Sequence, residues 1–125
     1  MRAVVIAAGF ALAPAAAFAA ALDSAPALAG DWVVDLSTPD QPTYSRPMQL
    51  TLAADGTVSG LFYQSPIEAG RWKTDRGRTC ASFRTHGGEV AYHTSVCLVG
   101  TMAQGQTWAE QRNFLFNWSA SRAKS

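Results

Sequence analysis

A chain of 125 residues holds one domain at most. Removing an N-terminal export signal leaves roughly 100 residues, few for a single hydrophobic core. The ten basic and nine acidic residues become nine against nine once Arg2 is cut away, and this balance excludes a general nucleic-acid binder, which needs net positive charge to displace counterions.

The chain opens on Met1-Arg2, an apolar run over 3–12, Pro14 and a string of alanines. One positive charge, an apolar stretch and the small-x-small site Ala17-Phe18-Ala19 read as a cleavable signal peptide over 1–20. An uncleaved membrane anchor fits less well, because alanine is weakly apolar and Pro14 breaks the run. No cysteine stands near the cleavage site to carry a lipid. The signal is of the bacterial kind, so the mature chain is expected in the periplasm or the medium, off the membrane after cleavage. Residues 21–28 read as a short flexible lead and 29–123 as the domain.

A first strand is expected over 31–36, with Trp32, Val34 and Leu36 on one face and Val33 and Asp35 on the other. Pro39, Pro42 and Pro47 make 37–47 the longest loop. A second strand over 48–53 alternates Met48, Leu50 and Leu52 against Gln49 and Thr51. Ala54-Asp55-Gly56 turns into a third strand over 57–64, setting Leu52 opposite Val58, Leu50 opposite Gly60 and Met48 opposite Phe62. Ser65-Pro66 reads as the next turn, followed by a strand over 67–74 and a turn at Asp75-Arg76-Gly77. Strands over 78–85 and 90–99 flank His86-Gly87-Gly88-Glu89. Gly100-Thr101 leads into a strand over 102–108, and a loop over 109–112 into the last, 113–122. Counting outward from the turns puts Trp72 near Ala81, Gly70 near Phe83, Thr107 near Phe114, Gly105 near Phe116 and Ala103 near Trp118. Large residues meet small ones, as a narrow closed interior requires. The expected fold is all-β: an eight-stranded antiparallel up-and-down β-barrel, preceded by the signal peptide. Closure removes the exposed sheet edges.

Cys80 and Cys97 lie on the hairpin around Gly87-Gly88. If Gly88 and Glu89 are the central turn residues, the two cysteines are directly opposed; if Gly87 and Gly88 are, they form a diagonal pair. Parity puts both on the outer face, and an oxidising compartment favours a disulfide.

Gly30-x-Trp32, the run Asp55-Gly56-Thr57-Val58-Ser59-Gly60, and Asn117-Trp118 with Arg122 resemble the calycin superfamily, and within it the avidin-like barrels. The resemblance implies that Trp32 plugs one barrel end and that Arg122 stacks across it in a cation–π contact. It also departs from the pattern: avidin-type proteins carry an Asn two residues after the first-strand Trp, where this chain has Val34, so biotin is not the expected ligand. The opening Leu28-x-Gly30-x-Trp32-Val33 is also similar to the secreted metalloprotease inhibitors of Gram-negative bacteria. In that family the residues before the first strand enter the protease, which would give 20–29 that role. Its first cysteine follows the first strand closely, whereas Cys80 lies far downstream.

The expected interior offers Phe62, Glu68, Trp72, Tyr92, Thr94 and Trp118 as ligand-binding residues, with Gln64 also within reach. Glu68 is the one acid that the register turns inward, opposite Phe62, and a buried carboxylate there would need a partner. The plainer reading sets it in solvent at the barrel mouth. Arg71, Lys73, Arg78, Arg84 and His93 fall on the outside, as a solvated face or a site for an anionic partner. Trp108 and Leu115 also point outward, an apolar pair suited to association between copies of the chain. His86 and His93 show no metal spacing, His93 faces outward and His86 falls in a turn, so neither a metal, a cofactor nor a catalytic triad is expected. The leading expectation is an exported, non-enzymatic protein holding a small apolar or amphipathic ligand in the barrel. The alternative is an inhibitor-like or other protein-binding module acting through its lead and loops.

Overall fold

Apolar and polar residues alternate along each strand, and burial follows that alternation. In β1 (Gly30–Asp35) Trp32 and Val34 are buried while Asp31, Val33 and Asp35 are exposed. The computed structural model describes residues 25–124; the expected signal peptide, 1–20, and the first part of the lead lie outside the described residues. The strands that follow are β2 (Ser45–Leu52), β3 (Thr57–Phe62), β4 (Ser65–Pro66), β5 (Glu68–Asp75), β6 (Arg78–Gly87), β7 (Val90–Val99), β8 (Met102–Ala109) and β9 (Phe114–Arg122). Each pairs antiparallel with a neighbour in sequence, and β9 returns to β1, setting Trp32 opposite Arg122 and Val34 opposite Ala120. The two residues of β4 and the whole of β5 share one position around the sheet, so the strands close into an eight-stranded barrel.

Most of the register is the expected one. Met48 faces Phe62, Leu50 faces Gly60 and Leu52 faces Val58; Trp72 faces Ala81. The β6–β7 hairpin turns on Gly88 and Glu89, which sets Cys80 directly opposite Cys97. Their sulfurs form a disulfide on the outer face, with the Cα atoms 4.0 Å apart.

The loop expected over 37–47 is shorter than predicted, because Ser45, Arg46 and Pro47 pair with β1 as the start of β2. The other main differences lie where non-glycine residues take left-handed backbone. The third strand stops at Phe62, not Gln64, and Ser65-Pro66 is strand rather than turn. Tyr63 and Gln64 turn the chain instead, both with positive φ (53° and 68°), a two-residue turn whose twist suits a hairpin. Ala69, at φ 53°, forms a bulge between the pairs Glu68↔Arg84 and Arg71↔Ser82. The extra residue inverts the alternation, so Gly70 stays inside while Glu68, expected inside opposite Phe62, faces out. At the β8–β9 connection, a 3-10 turn (Glu110–Arg112) ends on Asn113 at φ 53°. This slides the expected pairing by two residues: Thr107 faces Phe116, Gly105 faces Trp118 and Ala103 faces Ala120. A slip of two preserves the faces, and Phe116 and Trp118 still point inward.

The core is centred on Trp32, Val34, Met48 and Val96, all at most 1 % exposed. Gly105 makes room for Trp118, since a Cβ there would sit 2.4 Å from the indole carbons. Gly105→Ala is expected to lower stability by about 1–3 kcal/mol through overpacking, read as a lower urea midpoint. An unchanged midpoint would show that the indole has space to withdraw.

Candidate functional site

The barrel has one sealed end and one open end. At the sealed end Trp32 lies 1 % exposed, its indole N–H donating to the Leu28 carbonyl at 3.0 Å. The Arg122 guanidinium stands 4.2 Å from the ring centroid. It also donates to the Ala29 carbonyl at 2.5 Å and to that of Ala27. Gly30, at φ +117°, keeps that space clear, because a Cβ would come within 2.9 Å of the guanidinium. In the described part of the lead, Ala25–Leu28 form a 3-10 turn and Leu28 is fully buried. Trp72 belongs to this end too, half-buried, with its N–H donating to the Ala53 carbonyl at 2.7 Å.

A buried polar step crosses the middle. The hydroxyls of Thr94 and Thr107 are hydrogen-bonded at 2.9 Å, and the Trp118 indole N–H donates to Thr107 Oγ1 at 3.0 Å. Among the described residues, no buried side-chain nitrogen or oxygen lacks a partner.

Above that step is a cavity of about 210 Å³. Phe62, Phe114, Phe116, Trp118 and Leu36 wall it, and Tyr92, His86 and Arg112 stand among its polar lining. The aromatic wall has two groups: Phe62 lies 5.5 Å from Trp118, and Phe114 lies 6.3 Å from Phe116 and 5.9 Å from Tyr92, centroid to centroid. Arg112 Nη1 donates to the Tyr92 hydroxyl at 2.7 Å, and its guanidinium is 5.1 Å from the centre of Phe114. Tyr63 closes another part of the lining, hydroxyl to hydroxyl with Tyr44. That hydrogen bond raises the Tyr44 phenol above its ordinary value. A larger, open groove of about 630 Å³ runs outside β7–β9, but its lining is mainly Gln, Asn and Ser, and Gln106 already donates to Asn117 at 2.8 Å.

Of the six residues expected to contact a ligand, the structure brings Phe62, Tyr92 and Trp118 to this cavity and leaves three elsewhere. Trp72 sits at the sealed end. Thr94 is fully buried with its hydroxyl engaged. Glu68 lies outside, accepting from Arg84 at 3.3 Å, with His86 Nδ1 at 3.4 Å from the same oxygen. His86, expected in a turn, is instead in β6 opposite Ala91. Gln64 is exposed in the turn before β4. Arg112 escaped sequence reasoning because it stands in a loop. The available signal was topological: in an up-and-down barrel the 86–89 and 109–113 connections share an end, next to Tyr92 and Phe114.

On the outer face, Trp108 and Leu115 form a cross-strand pair. Leu115 is 62 % exposed, while Trp108 is half-buried against the His93 ring at 5.6 Å. Among the described residues, no group of three or more His, Cys, Asp or Glu could hold a metal ion, and no helix is long and apolar enough to cross a membrane. No protein-family model, no curated protein and no solved structure matches this chain.

Proposed function

We propose that this is an exported binding protein, without catalytic activity, that holds a small apolar or amphipathic molecule at the open end of its barrel. The observation that carries the reading is the aromatic-walled cavity above a centre and floor already filled by Trp32, Met48, Val96 and the Thr94–Thr107 step. An apolar wall with a few polar groups at one side is the usual form of a small-molecule site. At about 210 Å³ it lies below the customary range, which points to a small ligand rather than a sterol or a tetrapyrrole. Export is supported by the signal-like residues 1–20 and by the Cys80–Cys97 disulfide, a bond that persists in oxidising compartments. The protein-binding alternative has less support: Arg122 anchors the lead at Ala27 and Ala29, leaving only residues upstream to enter a partner.

The reading is tested by titrating isotope-labelled protein with 1-octanol and recording amide shifts. Shifts are expected to cluster at Phe62, Tyr92, Phe114, Phe116 and Trp118, and to vanish in Leu36→Trp, which fills the cavity while leaving the circular-dichroism spectrum unchanged. Shifts scattered over the outer face, or none at millimolar octanol, overturn it.

A further inference from the structure

Two basic side chains line the cavity, and they differ in one respect. His86 faces Glu68, whereas Arg112 forms no ion pair with any carboxylate among the described residues. Arg112 uses one guanidinium nitrogen to donate to the Tyr92 oxygen. The Tyr92 oxygen acts there as acceptor, and its own proton has no acceptor among the described residues, so it can donate. The arrangement leaves a positive charge with spare N–H donors and a neighbouring O–H donor side by side at the rim of an apolar chamber. An isolated cation beside aromatic rings gains from the ring faces, but that contact leaves its remaining N–H groups unused.

Resting on the cavity reading above, we propose that the ligand is a short-chain carboxylic acid bound as its carboxylate. The Arg112 guanidinium and the Tyr92 hydroxyl grip the head group, and the chain lies between Phe114, Phe116 and Trp118. A planar carboxylate has two oxygens for two adjacent donors, and Arg offers the fork geometry that fits it. The polar side of the cavity carries no carboxylate free to receive an amine, because Glu68 is turned outward by the bulge at Ala69 and already contacts Arg84 and His86. Size sets the chain length. A dry cavity of about 150 Å³ takes the six carbons of benzene, so about 210 Å³ takes roughly eight or nine non-hydrogen atoms. A tail of seven carbons fits, with its carboxylate at the rim.

The test is calorimetric titration of the disulfide-intact protein with octanoate, 1-octanol, octylamine and octyl sulfate, and with the acids from butanoate to dodecanoate. Octanoate is expected to bind roughly ten- to hundredfold more tightly than octanol, the worth of a charge-assisted hydrogen bond. Octylamine should give no heat, and octyl sulfate should bind more weakly than octanoate. Affinity should rise by about fourfold per methylene up to about eight carbons and then stay level. Arg112→Gln should erase the preference for octanoate over octanol. Should that variant fold poorly, Tyr92→Phe keeps the ring and should narrow the preference for octanoate over octanol about fivefold. Equal binding of octanol and octanoate overturns the carboxylate assignment while leaving the cavity reading standing, as does a tighter octyl sulfate. A continued gain through dodecanoate overturns the size limit. Binding of none of these ligands removes the cavity reading and this inference together.

Discussion

Replacing Trp32 with alanine is expected to lower the unfolding free energy by about 3–5 kcal/mol, the range for truncating a large buried aromatic. The side chain is 1 % exposed, and three separate features depend on it. Its ring fills the barrel floor between Val34 and Met48, which belong to the same buried cluster. Its N–H satisfies the Leu28 carbonyl, so the alanine variant leaves that buried acceptor without its partner. Its face also carries the Arg122 guanidinium, which reaches the carbonyls of Ala27 and Ala29 from that position. Trp32→Phe separates these contributions: it keeps most of the plug and the cation contact but leaves the Leu28 carbonyl unpaired, and should cost about 1–3 kcal/mol. Urea unfolding followed by circular dichroism reads both. A wild-type midpoint for the alanine variant would mean that the floor is sealed by something else.

The second large effect is expected at the disulfide. Changing Cys80 and Cys97 together to serine should cost about 3 kcal/mol, since the bond closes a loop with a sequence separation of 17 and restricts the unfolded chain. A domain of this size has roughly 5–15 kcal/mol in all, so the loss is a large share of it. The native contacts change little, because both sulfurs lie on the outer face between the rows formed by Lys73 and Gln104. The fold should therefore persist at low temperature and unfold at a lower urea concentration. Thiol titration of unfolded, unreduced wild-type protein should find no reactive thiol, and two per chain would contradict the bond.

The sequence made the closed sheet legible wherever a turn carried its own mark. Asp55-Gly56, Arg76-Gly77 and Gly88 announce themselves, and the pairs Leu52↔Val58 and Trp72↔Ala81 follow by counting. For Cys80 and Cys97 counting allows either a direct or a diagonal pair, which the turn on Gly88 and Glu89 resolves as direct. Arg76 takes positive φ beside a glycine that marks its turn, but other side chains do so without such a mark. Tyr63, Gln64, Ala69 and Asn113 each hide a turn, a bulge or a shift of register. Pro66 even misled, because a proline suggests a turn, yet here it sits in a two-residue strand opposite Leu61. The candidate site was half legible for a related reason. Alternation tells which face a residue occupies but not how far along the barrel axis it stands. Phe62, Trp72, Thr94 and Trp118 all face inward, but Phe62 and Trp118 reach the cavity while Trp72 lies near the floor. Arg112 and His86 gain their importance from loops and strand ends meeting in space, which one-dimensional periodicity does not encode.

The seam between β1 and β9 carries a kinetic consequence. Every other pairing joins strands that follow closely in sequence, so hairpins such as β6–β7 can zip locally and early. The seam alone spans almost the whole chain, and it is completed by Arg122 on the last strand. Synthesis from the N-terminus therefore holds back the latch until β9 and its Arg122 have emerged. Until then the growing polypeptide is an open ribbon with two unpaired borders, and the barrel closes in a single late event when β9 meets β1.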